Sequence, residues 1–152
     1  QAAGLSIKAV DLEAFRERLN GLGCERFRRG DLVPTMKVDD ELAEGEIQLD
    51  LALELAKLEP FGLGNPSPVF VSRKMLVLDA RQVGAEGRHL KLKLGRGQKV
   101  VDGIGFRMGA SHSRIARQSA EVDVAYSLEV NEWNGRTDVE LVLKDIVESD
   151  RP

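Results

Sequence analysis

The sequence is poor in the residues that secreted proteins and metal sites use most. Cys24 is the only cysteine, which excludes an intrachain disulfide and a cysteine-based metal site. Residues 1–4 lack the charged start and apolar middle of a secretion signal, and no apolar run approaches the ~20 residues that span a bilayer. We therefore expect a cytoplasmic protein with no membrane partner. The missing starting Met indicates a fragment of a longer chain.

Residues with catalytic chemistry are also scarce. Histidine occurs only at His89 and His112, and His89 has no second metal ligand at a useful spacing. The acidic residues at 39–46 lack the ligand spacing of a Ca²⁺ loop, so we expect them to form an acidic surface. No pattern pairs a nucleophile with a base or forms a phosphate-binding loop. We predict no catalytic residue, metal or cofactor in this chain.

Positive charge is concentrated in one block of the chain. Residues 68–117 hold 11 Lys and Arg against 3 Asp and Glu, a net charge of +8. Residues 1–67 hold 8 against 13, and residues 118–150 hold 2 against 9. A basic block inside an acidic chain is a candidate surface for polyanions. A solvated basic face balanced by its acidic neighbours is the alternative.

A proline- and glycine-rich stretch, residues 60–68, divides the chain into two patterns. Few helices or strands tolerate three prolines and two glycines in nine residues, because proline restricts φ and lacks an N–H donor. The stretch predicts a hinge between residues 1–59 and residues 69–150. The hinge residues are Pro60, Phe61, Gly62, Gly64, Asn65 and Pro66.

The region before the hinge predicts an α+β fold. The patterns at residues 3–8 and 35–39 predict short strands. Apolar residues at helical spacing predict a helix that follows Asp11 as N-cap and ends at Gly21 and Gly23. A second helix follows Asp50. These elements offer little core for ~60 residues, so we expect this part to depend on missing chain or on its neighbour.

The region after the hinge predicts an all-β barrel. Five strands are expected at 69–83, 89–94, 99–106, 122–133 and 137–147, with a short helix at 112–118. Asn134-Gly135 is a strong hairpin signal. Ile146 falls on the wrong face of the last strand unless a bulge intervenes near Lys144. The helix between the third and fourth strands favours an OB-fold over an SH3-like barrel.

Several segments resemble the C-terminal part of the RecJ-type single-stranded-DNA exonucleases, members of the DHH phosphodiesterase superfamily. The hinge with its flanks, L-E-P-F-G-L-G-N-P-S-P at 58–68, is similar to that family's linker, and Q-A-A-G at 1–4 resembles the tail of its G-G-H-x-x-A-A-G motif. Residues 83–91, 102–106 and 130–146 resemble its first hairpin, third strand and closing hairpin. The order and spacing of these pieces make the resemblance specific.

The resemblance implies domain bounds for this chain and a role that is separate from catalysis. Residues 1–59 would be the C-terminal part of the DHH-associated domain, 60–68 the hinge and 69–150 an OB-type nucleic-acid-binding domain. The family's catalytic DHH domain, with its Mg²⁺ or Mn²⁺, has no counterpart here. The implied role is to bind and guide single-stranded DNA for a 5′→3′ exonuclease of DNA repair and recombination. The chain alone is predicted to be inactive.

The candidate DNA contacts follow from the barrel pattern. Lys91 and Lys93 alternate with leucines on the polar face of the second strand, where OB-folds hold their ligands. The full set of candidate residues is His89, Lys91, Lys93, Arg96, Lys99, Arg107, Arg73, Lys74 and Trp133. Weaker candidates are Arg81, Arg88, Arg114 and Arg117.

Aromatic residues make up only 5% of the chain, which favours charge-led, sequence-independent binding. Phe70, Phe106 and Tyr126 are expected in the core, whereas Trp133 suits either base stacking or cross-strand packing. A different interpretation of the same basic block is a protein-interaction barrel. Such a barrel would recruit a partner such as the acidic tail of single-strand-binding protein.

Overall fold

The computed structural model describes residues 4–27, 34–96 and 99–149, apart from the side chain of Arg96. The chain divides into two compact units, Gln1–Met36 and Lys37–Pro152. Helix α1, Leu12–Arg26, is the main element of the first unit. It buries none of its residues, and Phe15, Leu19 and Leu22 on its apolar stripe are exposed.

The first unit differs from the sequence prediction at three points. Residues 4–8 form no strand, since no described strand lies beside them to accept their hydrogen bonds. Helix α1 passes through Gly21 and Gly23, which lower helix stability by about 1 kcal/mol each without ending the helix. Asp11 precedes α1, but its side chain makes no capping hydrogen bond.

In its described residues, the second unit contains six strands and two α-helices. Strand β1, Asp40–Glu41, and helix α2, Leu49–Ala56, come first. The barrel strands are β2 (Phe70–Val83), β3 (His89–Arg96), β4 (Lys99–Gly105), β5 (Glu121–Trp133) and β6 (Arg136–Glu148). Helix α3, Gly109–His112, lies between β4 and β5. The predicted strand at 35–39 is displaced to β1, because Asp40 and Glu41 pair with the start of β2.

The five barrel strands close on themselves. β2 pairs with β3, β3 with β4, β4 with β6, β6 with β5, and β5 with β2. Every pairing is antiparallel except that of β4 with β6. This order, with α3 between the third and fourth barrel strands, is that of an OB-fold. The predicted fold class, an α+β part followed by an OB-like barrel, is confirmed.

Alternation along the strands separates the core from the surface. Leu90, Leu92 and Leu94 of β3 are at most 1% exposed and point into the barrel, so Lys91 and Lys93 point outward. In β6, Lys144 is an extra residue, since Tyr126 pairs with Leu143 and Ala125 with Asp145. The bulge returns Ile146 to the core, as the apolar pattern predicts.

The segment before the barrel is tied to it by buried polar contacts. The hydroxyl of Ser72 lies 2.7 Å from the hydroxyl of Tyr126 and donates to the backbone oxygen of Leu42 at 2.7 Å. Burial raises the pKa of Tyr126 to about 12, which keeps the phenol protonated. Leu42, Ile47 and Ala52 belong to the same buried cluster as the barrel core.

The predicted hinge is a compact loop with its own hydrogen bonds. Gly62 and Asn65 exchange two backbone bonds of 2.7 and 3.1 Å. The Asn65 amide nitrogen Nδ2 also donates to the backbone oxygens of Leu58 and Pro60, at 2.8 and 3.2 Å. The elements on both sides of this loop lie in the same compact unit. The domain bounds at 59 and 69 stay a prediction.

Candidate nucleic-acid interface

The outer face of β3 and β4 carries three of the predicted contact residues. His89, Lys91 and Lys93 project from β3. Lys91 stands opposite Arg81 of β2 and Ile104 of β4. Because directly opposite residues in a sheet share a face, these side chains lie side by side. This face is the one that OB-folds use for oligonucleotides.

An aromatic pair stands at one end of this face. The rings of His89 and Phe106 meet at 78°, with centroids 5.3 Å apart. The backbone N–H of Arg107 donates to Nδ1 of His89 at 3.1 Å, which fixes the imidazole beside the end of β4. Phe106 as a whole residue is 58% exposed. An exposed aromatic ring held in a fixed orientation is a surface on which a base can stack.

The expectation that Phe106 belongs to the core is wrong. Val101, Gly103 and Gly105 point into the barrel and are buried, so Ile104 and then Phe106 point outward by strand alternation. Phe70 and Tyr126 are buried, as predicted. The signal for Phe106 was present in the sequence, because two glycines at alternate positions mark the inward face of β4.

Unpaired positive charge accompanies this aromatic pair. Arg81 and Arg107 are exposed, and neither forms an ion pair with any residue that the structure describes. Arg88 lies in the loop before β3, where its guanidinium is 3.9 Å from Glu86. We call the set Arg81, His89, Lys91, Phe106 and Arg107 the aromatic–basic end of the face.

Lys91 of the aromatic–basic end and Lys93, two residues further along β3, are both in ion pairs. Nζ of Lys91 is 3.5 Å from Oε1 of Glu140, and Nζ of Lys93 is 3.3 Å from Oδ1 of Asp102. The Lys91 side chain is only 32% exposed and that of Glu140 17%. Both lysines lie where the sequence predicted them, but carboxylates already neutralise them.

Lys99 makes structural contacts instead of lying free on the face. Its backbone N–H donates to Oε1 of Glu44 at 2.8 Å, and its Nζ donates to the backbone oxygen of Ile47. These bonds join the start of β4 to the segment that leads into α2. For Arg96, only the backbone is described, so its predicted contact lies outside the described atoms.

Arg73 and Lys74 lie far from the aromatic–basic end along β2. Arg73 is eight residues from Arg81, or ~26 Å of strand. Its guanidinium binds Glu41 at 3.0 Å and Asp123 at 3.3 Å, and the hydrogen bond that it donates to Glu41 raises the pKa of Arg73. Lys74 occupies a bulge with φ of 54°, and its N–H donates to Asp123 at 2.9 Å. These contacts hold β1, β2 and β5 together.

The remaining candidates are divided between the two ends of the barrel. Trp133 is 74% exposed beside the Asn134-Gly135 turn, where both turn residues have positive φ. At the start of β6, Arg136 pairs with Trp133, and six residues later Val142 pairs with Ile104 of β4. Trp133 therefore lies at the end of the barrel opposite Phe106. Arg117 pairs with Glu148 at 3.5 Å, and Arg114 is exposed just after α3.

Residues 38–145 match the family described as the RecJ OB domain. The chain belongs to the RecJ OB-domain family. It is 35% identical over 151 residues to the single-stranded-DNA-specific exonuclease RecJ of Dickeya dadantii, covering 95% of this chain and 25% of that protein. It is 30% identical over 149 residues to the corresponding protein of Bacillus subtilis, covering 98% and 19%.

The fold is also that of a RecJ structure. The crystal structure of RecJ in complex with Mn²⁺ from Thermus thermophilus superposes with a TM-score of 0.70 at 30% identity, covering 97% of this chain and 21% of that one. The resemblance to RecJ is thereby confirmed. The chain spans 19–25% of the length of these relatives. The RecJ OB match begins at residue 38 and so includes β1 and α2.

The described part of the chain contains neither a cluster of metal-binding side chains nor a helix that could span a membrane. Within residues 4–27, 34–96 and 99–149, no three His, Cys, Asp or Glu side chains are placed to hold a metal ion. In those same ranges, no helix has the length and apolar character needed to cross a membrane.

Proposed function

We propose that this chain is the single-stranded-DNA-binding and guidance module of a RecJ-like exonuclease that acts in DNA repair and recombination. The observation that carries the proposal is the aromatic–basic end. An exposed Phe106 ring, oriented by His89, shares the ligand face of an OB-fold with Arg81, and Arg107 follows it in the chain. Stacking and unpaired cations are the two features that single-strand binders combine.

The arrangement suits a strand of any sequence. Phe106 offers a flat apolar face, and every nucleobase has a π-face that can stack on it. Arg81 and Arg107 supply positive charge for the phosphates that flank the stacked base. Stacking and phosphate contacts carry no sequence information, so we expect sequence-independent binding.

The remaining parts of the proposal concern the parent protein. Relatives four to five times longer are named single-stranded-DNA-specific exonucleases. We propose that the parent of this chain hydrolyses phosphodiesters from the 5′ end through a DHH domain that uses Mg²⁺ or Mn²⁺ in the cytoplasm. The chain described here would hold the strand on its way to that domain and would be inactive alone.

A protein-interaction role is the second candidate. The observation that favours it is Leu63, which is fully exposed at the tip of the hydrogen-bonded 60–66 loop. Leu58, which precedes the loop, is 54% exposed as well, and two exposed leucines on and beside a loop of fixed shape offer an apolar contact for another protein. The aromatic–basic end would then bind an acidic peptide, such as the tail of single-strand-binding protein.

The test is fluorescence anisotropy of a labelled ~20-nucleotide single strand, a length that exceeds the ~4–16 nucleotides of an OB site. We expect the affinity for the single strand to fall as the salt concentration rises. We also expect unlabelled duplex DNA to be a poor competitor of the labelled strand. A labelled acidic peptide is measured in parallel. Tighter binding of the peptide than of the oligonucleotide would favour the second candidate, and no oligonucleotide binding at low salt would contradict the proposal.

A further inference from the structure

Four carboxylates form a row around the barrel, and this row crosses the ligand face at the paired positions Lys93 of β3 and Asp102 of β4. The register places Asp79 of β2 opposite Lys93, Lys93 opposite Asp102 of β4, Asp102 beside Glu140 of β6, and Glu140 opposite Glu129 of β5. We call Asp79, Asp102, Glu140 and Glu129 the carboxylate row. Lys93 is the single cation at these five register positions, so the row as a whole is negative.

The carboxylate row engages the two lysines that phosphates would otherwise bind. Lys93 pairs with Asp102 within the row at 3.3 Å, and Lys91 reaches from the adjacent position to Glu140 at 3.5 Å. Oδ1 of Asp102 is shielded from solvent and makes no hydrogen bond in the described part of the chain, so the nearby Lys93 ammonium compensates its charge. A phosphate at either lysine therefore meets a carboxylate that already occupies part of the ammonium group.

This arrangement opposes tight binding on a face that otherwise suits a polyanion. Lys91 and Lys93 are in ion pairs, whereas Arg81 and Arg107 form none with the described residues. We propose that Asp102 and Glu140 compete with DNA phosphates for Lys93 and Lys91, and so limit the affinity of this face. The inference rests on the proposed single-strand binding. Contacts that exchange readily let a strand advance along the face.

The test compares three variants that each remove one negative charge. Asp102→Asn and Glu140→Gln keep the shape of the side chain and release Lys93 or Lys91. Glu121→Gln is the matched control, because Glu121 is exposed at the other end of β5 and forms no ion pair in the described residues. Thermal melting of each variant verifies that it is folded. The readout is the Kd for a single strand of ~20 nucleotides across a salt series.

We expect Asp102→Asn and Glu140→Gln each to bind about 2- to 5-fold more tightly than the wild type, a range close to the measured contribution of surface ion pairs. Each should also steepen the salt dependence by ~0.7, the slope of one added phosphate contact on a single strand. Glu121→Gln should leave both values close to wild type. Equal gains in all three variants would mean general repulsion and would overturn the inference.

A double-mutant cycle separates competition from repulsion. In a Lys91→Ala background, Glu140 has no lysine to occupy, so Glu140→Gln should no longer improve binding. A gain that persists without Lys91 overturns the inference. If the wild type binds single strands and the carboxylate variants match it, this inference fails while the proposed function stands. If no variant binds, both fail, whereas binding by the carboxylate variants alone supports the competition.

Discussion

The ring centroids of Phe106 and His89 lie 5.3 Å apart, and the backbone N–H of Arg107, the residue after Phe106, donates to the imidazole and holds it in place. The exposed Phe106 ring therefore has a defined orientation at the end of β4. Base stacking on such a ring contributes about 1–3 kcal/mol per base.

The first prediction concerns this ring. Phe106→Ala should weaken single-strand binding about tenfold, because it removes the stacking surface and leaves the cations in place. Phe27→Ala is the matched control, since Phe27 is exposed in the first unit and outside the barrel. Anisotropy titrations of the three proteins give the Kd values. An affinity of Phe106→Ala equal to that of Phe27→Ala would exclude stacking at this position.

The sequence predicted the barrel well because its signals are local. Strict alternation at 89–94, the Asn134-Gly135 turn and the misplaced Ile146 are each recognised within a few residues. Alternation along β4 also predicts that Phe106 points outward. We instead expected Phe106 in the core because large aromatic residues are usually buried. The glycines at 103 and 105 would have corrected that choice.

The ion pairs that Lys91 and Lys93 form with carboxylates could not be predicted from the sequence. Glu140 follows Lys91 by 49 residues and reaches it through the parallel pairing of β4 with β6. No local pattern states the register of two strands so far apart. The same holds for Lys99 and Arg73, whose partners Glu44 and Glu41 precede the predicted hinge.

The second prediction separates phosphate contacts from structural cations. Arg81→Ala and Arg107→Ala should each reduce the slope of log affinity against log salt by ~0.7, because each removes one phosphate contact on a single strand. Lys99→Ala should leave that slope unchanged and lower the free energy of unfolding instead, since it loses its bond to Ile47. Arg16→Ala in α1 controls for the loss of an exposed arginine. A Lys99→Ala slope that falls like those of the arginines would contradict this division.

The third prediction concerns the buried contact between Ser72 and Tyr126. Tyr126→Phe should lower the free energy of unfolding by about 0.5–1.5 kcal/mol, because Ser72 retains its bond to Leu42. Ser72→Ala should destabilise more, since it leaves both the phenol and the backbone oxygen of Leu42 without that hydroxyl. Urea unfolding measures both variants. A larger loss in Tyr126→Phe than in Ser72→Ala would show that Ser72 is not the link between the two.

The fourth prediction concerns pH. Burial raises the pKa of Asp123, but hydrogen bonds from Ser149 and the Lys74 N–H, with the charge of Arg73, outweigh it and place the pKa below 3.8. A lowered folded-state pKa stabilises the fold above pH 3.8, and this stabilisation is lost as pH falls through the folded value.

Asp123→Asn should therefore lower Tm at pH ~7 and have a smaller effect at pH ~3, where the carboxyl of the unfolded chain is mostly protonated and the stabilisation from the lowered folded-state pKa is reduced. Glu132→Gln, at the exposed end of β5, serves as the control for the loss of one charge. Thermal melting at the two pH values gives the comparison. A Tm difference for Asp123→Asn that stays constant between them would show that the charge of Asp123 is unimportant.

The most direct measurement is a ¹H–¹⁵N NMR titration of this 152-residue chain with an unlabelled single strand of ~20 nucleotides. The account predicts that the amide signals of His89, Lys91, Phe106 and Arg107 shift together and saturate, while those around Arg73 and Trp133 move little. Shifts centred on Trp133 or Arg73, or no shifts at low salt, would contradict single-strand binding at the aromatic–basic end.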